Sequence, residues 1–349
     1  MKKQSTIFVS FMLFSFFFAM ATSNANQNAC SELPQFSLTT PIPPIAYDPT
    51  RLDGIPGDPA VIKYKNGYVM YYGAAKGDWT DQNTIHIFRA TSIDGKNWIR
   101  TSEPILSPSP APNWDSVKIE TPYVMENPDG ELTMYYSGSN KPDSETGFAV
   151  GVAYSSDGKS WKKRTQPVLS PDNDELSIIG PSVYLDKTNQ KYYMWYAAIN
   201  NQYGIDIRKA ESNDGISWKR NGIVLKLDID RIHDTDIGVM GPDVIVTSRG
   251  YEMLYNVLSG EQHNNSSETI WHAVSKDGIN WTKTPYAIAK IDKDSNWLSS
   301  GIGSQSWLYN ESTYKIWFVG TKTDYKSTWN NGIGLMESAN CADKADKSN

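Results

Sequence analysis

Residues 155–161, with the sequence SSDGKSW, are one of four copies of the pattern Ser-x-Asp-Gly-x-x-Trp in this chain. The other copies begin at Ser92, Ser212 and Ser275. The tryptophans that end successive copies lie 63, 57 and 63 residues apart. A nearly constant period of this size is typical of supersecondary units that cannot bury their own apolar faces and therefore stack on one another.

A second repeated pattern, two strand-like stretches joined by a tight turn, precedes each copy and occurs once more near the end of the chain. Turns such as Pro128-Asp129-Gly130 separate the two stretches, and the returning stretch is rich in aromatic residues. A third strand then leads into the Asp-Gly turn, and a fourth strand carries the tryptophan. The sequence therefore predicts an all-β fold, a five-bladed β-propeller with four-stranded antiparallel blades. The five blades start at Asp58-Pro59, Thr121-Pro122, Gly180-Pro181, Gly241-Pro242 and Ser304-Gln305.

The fifth unit lacks its Ser-x-Asp-Gly turn and its fourth strand. Residues 36–42 (FSLTTPI) resemble the segment that follows the tryptophan in other units, such as residues 163–168 (KRTQPV). We therefore expect the N-terminal strand to complete blade five and close the ring. This arrangement would bring Cys30 close to Cys341, and an exported chain with two cysteines favours a disulfide between them.

The first 25 residues have the features of a secretory signal peptide: Lys2 and Lys3, an apolar run over residues 7–21, and small residues at Ser23 and Ala25. We expect residues 26–349 to form a single secreted or periplasmic domain, as a monomer. Loss of the two lysines changes the formal net charge from −6 to −8. An acidic chain without basic runs or a later membrane-length apolar segment argues against nucleic acid and membranes as partners.

Strand parity places the Ser-x-Asp-Gly turns on one face of the propeller, where they are expected to be structural clips. The opposite face collects long loops rich in Asp, Glu, His and Trp. Carboxylates can act as acid and base on a sugar, and aromatic rings stack on sugar rings. The tryptophans that we expect to contact substrate are Trp79, Trp114, Trp297 and Trp329.

The start of each innermost strand should point into the central cavity from this face. Asp58 and Glu120 are the strongest catalytic candidates there; for Asp243, a role in lining the channel is the alternative, and for the other two a solvated or capping carboxylate. Five residues before the aligned starts stand Asp53, Glu175 and Asp236. This second set could supply a further acid or ligands for a structural calcium ion in the central cavity, and Glu175 and His233 are expected to contact substrate.

The Asp58-Pro59 start, the paired strands and the Ser-x-Asp-Gly turns resemble the five-bladed propeller glycosidases, most closely glycoside hydrolase family 43 and its invertase-like family 32 relatives. The resemblance implies inverting hydrolysis with a blade-one Asp as base, a blade-two Asp that tunes it, and a blade-three Glu-Gly-Pro acid. Asp58 matches the first position. Thr121, preceded by Glu120, stands at the second, and Ile179-Gly180-Pro181 stands at the third.

The sequence thus predicts a secreted glycosidase that acts on poly- or oligosaccharide and requires no cofactor. Asp58 would activate water, Glu120 would protonate the leaving oxygen, and Asp243 or Asp236 would tune the pair. Because the expected blade-three acid is absent, either Glu120 or Glu175 takes its role, or the propeller binds carbohydrate without cleaving it. A protein-interaction scaffold is the third alternative.

Overall fold

A computed structural model of the chain describes residues 33–77, 84–142, 146–202, 204–227, 236–259, 266–310, 313–323 and 329–338. The predictions for Trp79, His233, the Cys30–Cys341 bridge and the signal peptide lie outside these ranges. At Asp236 and Trp329 only the backbone is described.

The described residues form twenty-one β-strands and no helix. Sheet I contains β2 (Ile55–Tyr64), β3 (Gly67–Ala75), β4 (His86–Ser92) and β5 (Ile99–Arg100). Sheet II contains β6 (Lys118–Glu126), β7 (Leu132–Ser139), β8 (Ala149–Ser155) and β9 (Lys162–Lys163). Sheet III contains β10 (Glu175–Asp186), β11 (Lys191–Asn200), β12 (Ile205–Ser212) and β13 (Lys219–Leu225). Within the parts of the chain that are described, no helix has the length and apolar character needed to cross a membrane.

Sheet IV contains β14 (Asp236–Thr247), β15 (Gly250–Ser259), β16 (Ser266–Ser275), β17 (Trp281–Lys283) and β18 (Ala289–Lys290). Sheet V contains β19 (Gly301–Asn310), β20 (Thr313–Thr323), β21 (Trp329–Ser338) and β1 (Phe36–Leu38). Neighbouring strands within every sheet are antiparallel, and one parallel bridge between Ile205 and Gly238 links sheets III and IV.

Strand β1 occupies the edge of sheet V, where the other sheets carry their own fourth strand. Phe36 pairs with Ser338 and Leu38 pairs with Met336 in antiparallel register. The backbone N–H of Thr39 continues the pairing by donating to the carbonyl oxygen of Leu335 over 2.9 Å. This is the pairing that the sequence predicts for the N-terminal strand.

The core lies between neighbouring sheets, whose first strands β2, β6, β10, β14 and β19 each contact the next, with β19 also contacting β2. The largest fully buried side chains are tryptophans and tyrosines in the second strands, such as Trp195, Trp317, Tyr71 and Tyr135. Burial of such large rings removes much apolar surface from water and stabilises the stack of sheets.

Each Ser-x-Asp-Gly turn is held by its own side chains. In the first copy, Gly95 N–H donates to Ser92 Oγ over 2.8 Å, and Asp94 Oδ1 accepts from the N–H groups of Lys96 and Asn97. The same bonds recur at Asp157, Asp214 and Asp277. Such bonds satisfy backbone donors in a tight turn, as expected for a structural clip.

The turn glycines also join one sheet to the next. Their carbonyl oxygens accept hydrogen bonds from buried aromatic groups of a neighbouring sheet, which are Trp317 Nε1 to Gly95, Tyr71 Oη to Gly158, Tyr135 Oη to Gly215 and Trp195 Nε1 to Gly278, over 2.9 to 3.0 Å. All four glycines have positive φ, between 68° and 75°. A Cβ atom at any of them would lie 2.6 to 3.0 Å from the aromatic group. Glycine is therefore required both by conformation and by the close approach of the ring.

Candidate active site

Five residues at aligned positions of the innermost strands adopt the left-handed conformation and form a ring that we call the neck. These are Asp58 (φ 47°), Thr121 (48°), Gly180 (66°), Gly241 (61°) and Ser304 (44°). In all five sheets the pairing of the first two strands also shifts register at this point. Positive φ is costly for non-glycine residues, and such residues concentrate at functional sites.

The neck separates two cavities and lines both of them. The larger cavity has a volume of about 400 Å³ and the smaller one of about 140 Å³. Residues that precede the neck, such as Glu120 and Met240, line the larger cavity. Residues that follow it, such as Pro122 and Gln305, line the smaller one. A cavity of about 300 Å³ or more is typical of small-molecule sites, so the larger cavity is the candidate active site.

Asp58 lies in the neck and is held there by its neighbours. Its carboxylate accepts hydrogen bonds from the side chain of Ser304 and the backbone N–H of Thr121. Burial raises the pKa of Asp58 above its ordinary value, and the two hydrogen bonds partly offset this effect because they favour the ionised form. The next neck residue continues the pattern, because Gly180 N–H donates to Thr121 Oγ1 over 3.3 Å.

Asp58 and Glu120 both line the larger cavity and both approach Gly73 of β3. A Cβ atom built on Gly73 would lie 3.3 Å from Asp58 Oδ2 and 3.6 Å from Glu120 Cβ. Both carboxylates line the larger cavity, and no other Asp or Glu is among its described lining residues. The structure thus brings together the two strongest candidates from the sequence, and the absence of a side chain at Gly73 leaves open space beside them.

Asp243 lies on the other side of the neck from Glu120, because it follows the neck by two residues. It lines the smaller cavity and not the larger one. Asp243 Oδ2 accepts from Trp307 N–H over 2.9 Å, and the carbonyl oxygen of Asp243 accepts from Trp307 Nε1 over 3.1 Å. Burial raises the pKa of Asp243 to about 7.

Equivalent residues of other sheets make the same contact as Asp243. Ser182 Oγ accepts from Val244 N–H over 2.9 Å, and Ser306 Oγ accepts from Val61 N–H over 3.0 Å. In each case a side chain two residues after the neck binds the backbone of the next sheet. This placement favours the channel-lining alternative for Asp243 over a catalytic one.

Glu175 belongs to a buried ionic cluster and does not line the larger cavity. Its carboxylate accepts from Tyr196 Oη over 3.0 Å and forms ion pairs with Arg220 (3.0 Å) and Arg208 (3.4 Å). Glu175 therefore cannot replace the missing blade-three acid in the larger cavity. A substrate in that cavity would not contact it.

The Glu175 cluster has counterparts in the first two sheets, each made of a tyrosine, an acid and a cation. In sheet I, Asp53 accepts from Tyr72 Oη over 2.6 Å and pairs with Arg100 over 2.9 Å. In sheet II, Asp115 accepts from Tyr136 Oη over 3.0 Å and pairs with Lys163 over 2.7 Å. The acids that the sequence places five residues before the neck thus have structural partners at Asp53 and Glu175. The side chain of Asp236 is not among those described.

Trp114 and Trp297 pack over pairs of glycines rather than lining the larger cavity. Trp114 stacks on Tyr136 at a ring distance of 5.8 Å and donates to the carbonyl oxygen of Thr165. Trp297 stacks on Phe318 at 5.6 Å and donates to the carbonyl oxygen of Pro41. Their contacts are those of packing residues, which differs from the substrate-stacking role that the sequence predicts.

Three neutral polar residues of the larger cavity, Asn256, Thr321 and Asn331, were not identified from the sequence. Asn256 faces Met240, just before the neck, as Gly73 faces Gly57 in sheet I. Alignment of the second strands would have identified Asn256 by this equivalence, whereas Thr321 and Asn331 carry no repeated signal. Within the described ranges, no three His, Cys, Asp or Glu side chains come together as a metal site.

Repeated antiparallel sheets around a cavity that holds two acidic residues are the arrangement of the propeller glycosidase superfamily. A family profile described as the glycosyl hydrolases family 32 N-terminal domain matches residues 54–234. The chain therefore belongs to this family. The sequence motifs most closely resemble glycoside hydrolase family 43. The matching profile is that of family 32, the invertase-like relative of family 43.

The sequence identities to individual relatives are low. An uncharacterized protein of Mycobacterium tuberculosis (strain ATCC 25618 / H37Rv) is 28% identical over 209 residues, which cover 54% of this chain and 62% of that protein. The chain thus spans less than two thirds of the length of this curated relative. A beta-1,2-mannobiose phosphorylase of Thermoanaerobacter sp. (strain X514) is 26% identical over 151 residues, covering 40% of this chain and 47% of that protein.

A solved structure of a thermostable family-43 glycoside hydrolase is 20% identical and superposes with a TM-score of 0.63. The superposition covers 86% of this chain and 92% of that one. At this level of identity the likeness shows the fold alone.

Proposed function

We propose that this protein hydrolyses a glycosidic bond of a poly- or oligosaccharide in the larger cavity, with Asp58 and Glu120 as its pair of carboxyl groups. The observation that carries the proposal is that both residues lie beside Gly73. A Cβ atom built on Gly73 would lie 3.3 Å from Asp58 Oδ2 and 3.6 Å from Glu120 Cβ. Glycosidases use two carboxyl groups that flank the scissile bond. Membership of a glycosyl hydrolase family supports the same chemistry.

In the proposed reaction Asp58 is the general base and Glu120 is the general acid. The carboxylate of Asp58 takes a proton from water as the water oxygen bonds to the anomeric carbon. The bond from that carbon to the leaving oxygen breaks, and the leaving oxygen receives the proton of Glu120. The sugar therefore leaves with inverted configuration, which requires a water molecule between carboxyl groups about 6.5 to 9.5 Å apart.

We further propose that sheets I to V are the five blades of a closed ring, with β1 completing the fifth. Two observations support closure: β1 pairs with β21, and β19 contacts β2. The indole of Trp317 also bonds to Gly95 across the same junction. Removal of residues 33–39 should then lower the thermal stability of the whole domain, whereas an open array would lose little.

Export remains a proposal that rests on residues 1–25, and the bridge between Cys30 and Cys341 remains one that rests on the pairing of β1 with β21. N-terminal sequencing and thiol titration of the exported chain test both. A monomer, and a calcium ion in the central cavity, are proposals of the same standing; light scattering and elemental analysis of the purified protein test them.

The decisive experiment screens the full chain against neutral and acidic aryl glycosides and oligosaccharides, with and without inorganic phosphate. Asp58→Asn and Glu120→Gln should each lower kcat/KM by at least about a hundredfold. Asp129→Asn and Glu126→Gln are matched controls, since both residues are exposed and Glu126 lies on the same strand as Glu120. Proton NMR of the first-formed anomer should show inversion.

Equal activity of both variants and the wild type would refute the assignment of the pair. Turnover only with phosphate would indicate phosphorolysis, the activity in the name of one relative. The second candidate function is carbohydrate binding without cleavage, which is favoured by Ile179 and Gly180 at the positions where the resemblance places an acid. Sugar binding without turnover of any substrate would support it.

A further inference from the structure

Sheets IV and V carry neutral hydrogen-bonding groups into the same cavity to which sheets I and II contribute carboxylates. Asn256 comes from β15, Thr321 from β20 and Asn331 from β21. Sheet III contributes Ile179 and Gly180 between these two sides. The cavity thus has one acidic wall and one neutral polar wall.

Asn256 is the most deeply buried group of the neutral wall. Its side chain is almost fully buried, at 2% exposure. The Nδ2 atom donates to the carbonyl oxygen of Thr269 over 3.1 Å, which fixes the orientation of the amide. Its Oδ1 atom lies close to Gly241 and Gly303, both of which line the cavity. A Cβ atom built on Gly241 would lie 3.0 Å from this oxygen, and one built on Gly303 would lie 3.3 Å from it.

The Oδ1 atom of Asn256 accepts no hydrogen bond from any residue that the structure describes. This oxygen is not among the fully enclosed polar atoms of the described residues that lack a partner, so it is open to the cavity, where water or a ligand can satisfy it. Because this oxygen faces the cavity between two glycines, the group that satisfies it is a donor inside the cavity. A sugar hydroxyl is such a donor.

Thr321 and Asn331 supply the complementary donor. The Thr321 hydroxyl donates to Asn331 Oδ1 over 3.0 Å, which leaves the Nδ2 atom of Asn331 to donate. The neutral wall therefore presents an amide oxygen as acceptor and an amide nitrogen as donor, the two functions that a hydroxyl group can match. Among the described lining residues there is no Lys, Arg or His that would neutralise a carboxylated sugar.

We infer that Asn256 and Asn331 hold the hydroxyl groups of one uncharged sugar unit and turn it toward Asp58 and Glu120. An acidic sugar is disfavoured because its carboxylate would face Asp58 and Glu120, and the described lining residues include no cation that would pair with it. The inference rests on the proposed function and deepens it, since it names the class of sugar and the residues that select it.

The test measures binding rather than turnover, with monosaccharides that the protein cannot cleave. D-mannose, D-galactose, D-fructose and L-arabinose are titrated against the wild-type full chain, beside D-glucuronate and D-galacturonate. At least one neutral sugar should bind, and the uronate that corresponds to it in size should bind at least about tenfold more weakly. Asn256→Ala should weaken binding of the neutral sugar about tenfold or more, which corresponds to about 1.4 kcal/mol.

Asn189→Ala is the control, because Asn189 is exposed in the turn after β10 and outside the cavity. Should Asn256→Ala fail to fold, Asn331→Ala at a half-buried position gives the same test. Equal affinity for uronates, unchanged affinity in both alanine variants, or no binding by any sugar of the panel would overturn the inference. Binding through Asn256 without any glycoside cleavage would instead leave the inference standing and refute the proposed hydrolysis.

Discussion

The indole N–H of Trp317 in sheet V donates a 2.9 Å hydrogen bond to the carbonyl oxygen of Gly95 in sheet I, across 222 positions of sequence. The bond joins the end of the chain to its first Ser-x-Asp-Gly turn. Equivalent bonds, from an aromatic side chain of one sheet to the turn glycine of the next, join sheets I to II, II to III and III to IV. The turns that define the sequence repeat are therefore also the contacts that hold neighbouring sheets together.

Gly95→Ala should destabilise the fold by about 2 to 3 kcal/mol, as measured by urea unfolding. The new alanine would have to adopt a φ of 75°, and its Cβ atom would lie 3.0 Å from the Trp317 ring. Gly130→Ala separates the two causes, since Gly130 has a φ of 86° but no atom within 4 Å of its Cβ position. A loss in Gly130→Ala equal to that in Gly95→Ala would show that the ring contact contributes nothing.

Gly73→Ala should lower catalytic efficiency by about tenfold or more without a comparable loss of stability. The added methyl would lie 3.3 Å from Asp58 Oδ2 and 3.6 Å from Glu120 Cβ, in space that the proposed reaction would use. Gly73 has an ordinary backbone conformation among the described glycines, so alanine introduces no φ strain. Steady-state kinetics and thermal unfolding of the same preparation measure the two effects. Unchanged kcat/KM would place the reaction elsewhere.

Ser304→Gly should move the acid limb of the kcat/KM profile to higher pH. The Ser304 side chain donates to the ionised carboxylate of Asp58, so its loss raises a pKa that burial already raises. A general base acts in its ionised form, and activity should therefore appear only at higher pH than in the wild type. Glycine retains the positive φ of this position. An acid limb that stays in place or moves to lower pH would contradict Asp58 as the base.

Asp243→Asn should reduce the loss of stability that the wild type shows as pH rises from about 4 to 7. Burial raises the pKa of Asp243 from 3.8 to about 7, so across this range the folded state holds a proton that the unfolded state has released. The free energy of unfolding is then highest below the unfolded pKa and falls as pH rises toward the folded pKa. A difference of about 3 pKa units corresponds to about 4 kcal/mol.

Urea unfolding at several pH values measures this dependence, with Asp129→Asn as the exposed control. The amide side chain introduced by Asp243→Asn would still offer an oxygen to Trp307 N–H, so the fold should persist. A pH dependence as steep in Asp243→Asn as in the wild type would show that another group is responsible.

Local sequence patterns were sufficient to predict the all-β fold, the repeat and the position of the neck. These features depend on local chemistry: Ser, Asp and Gly form their turn through bonds within six residues, and strand alternation is visible along each segment. Asp58 and Glu120 could be found for the same reason, because their distance from each aligned strand start is counted along the chain. The pairing of the N-terminal strand with the last strand followed from the one missing copy.

Which polar residues share a cavity depends instead on tertiary packing. Glu120 comes one residue before the left-handed neck residue of sheet II, and Asp243 comes two residues after the neck residue of sheet IV. Glu120 therefore lines the larger cavity and Asp243 the smaller one. Glu175 is neutralised by Arg220, 45 residues away, and Asn256 approaches the cavity because glycines of sheets IV and V leave room for it. Glu175 and Arg220 lie on different strands of sheet III, and the other residues come from sheets II, IV and V. Their proximity therefore depends on how strands and sheets pack together, which no local pattern records.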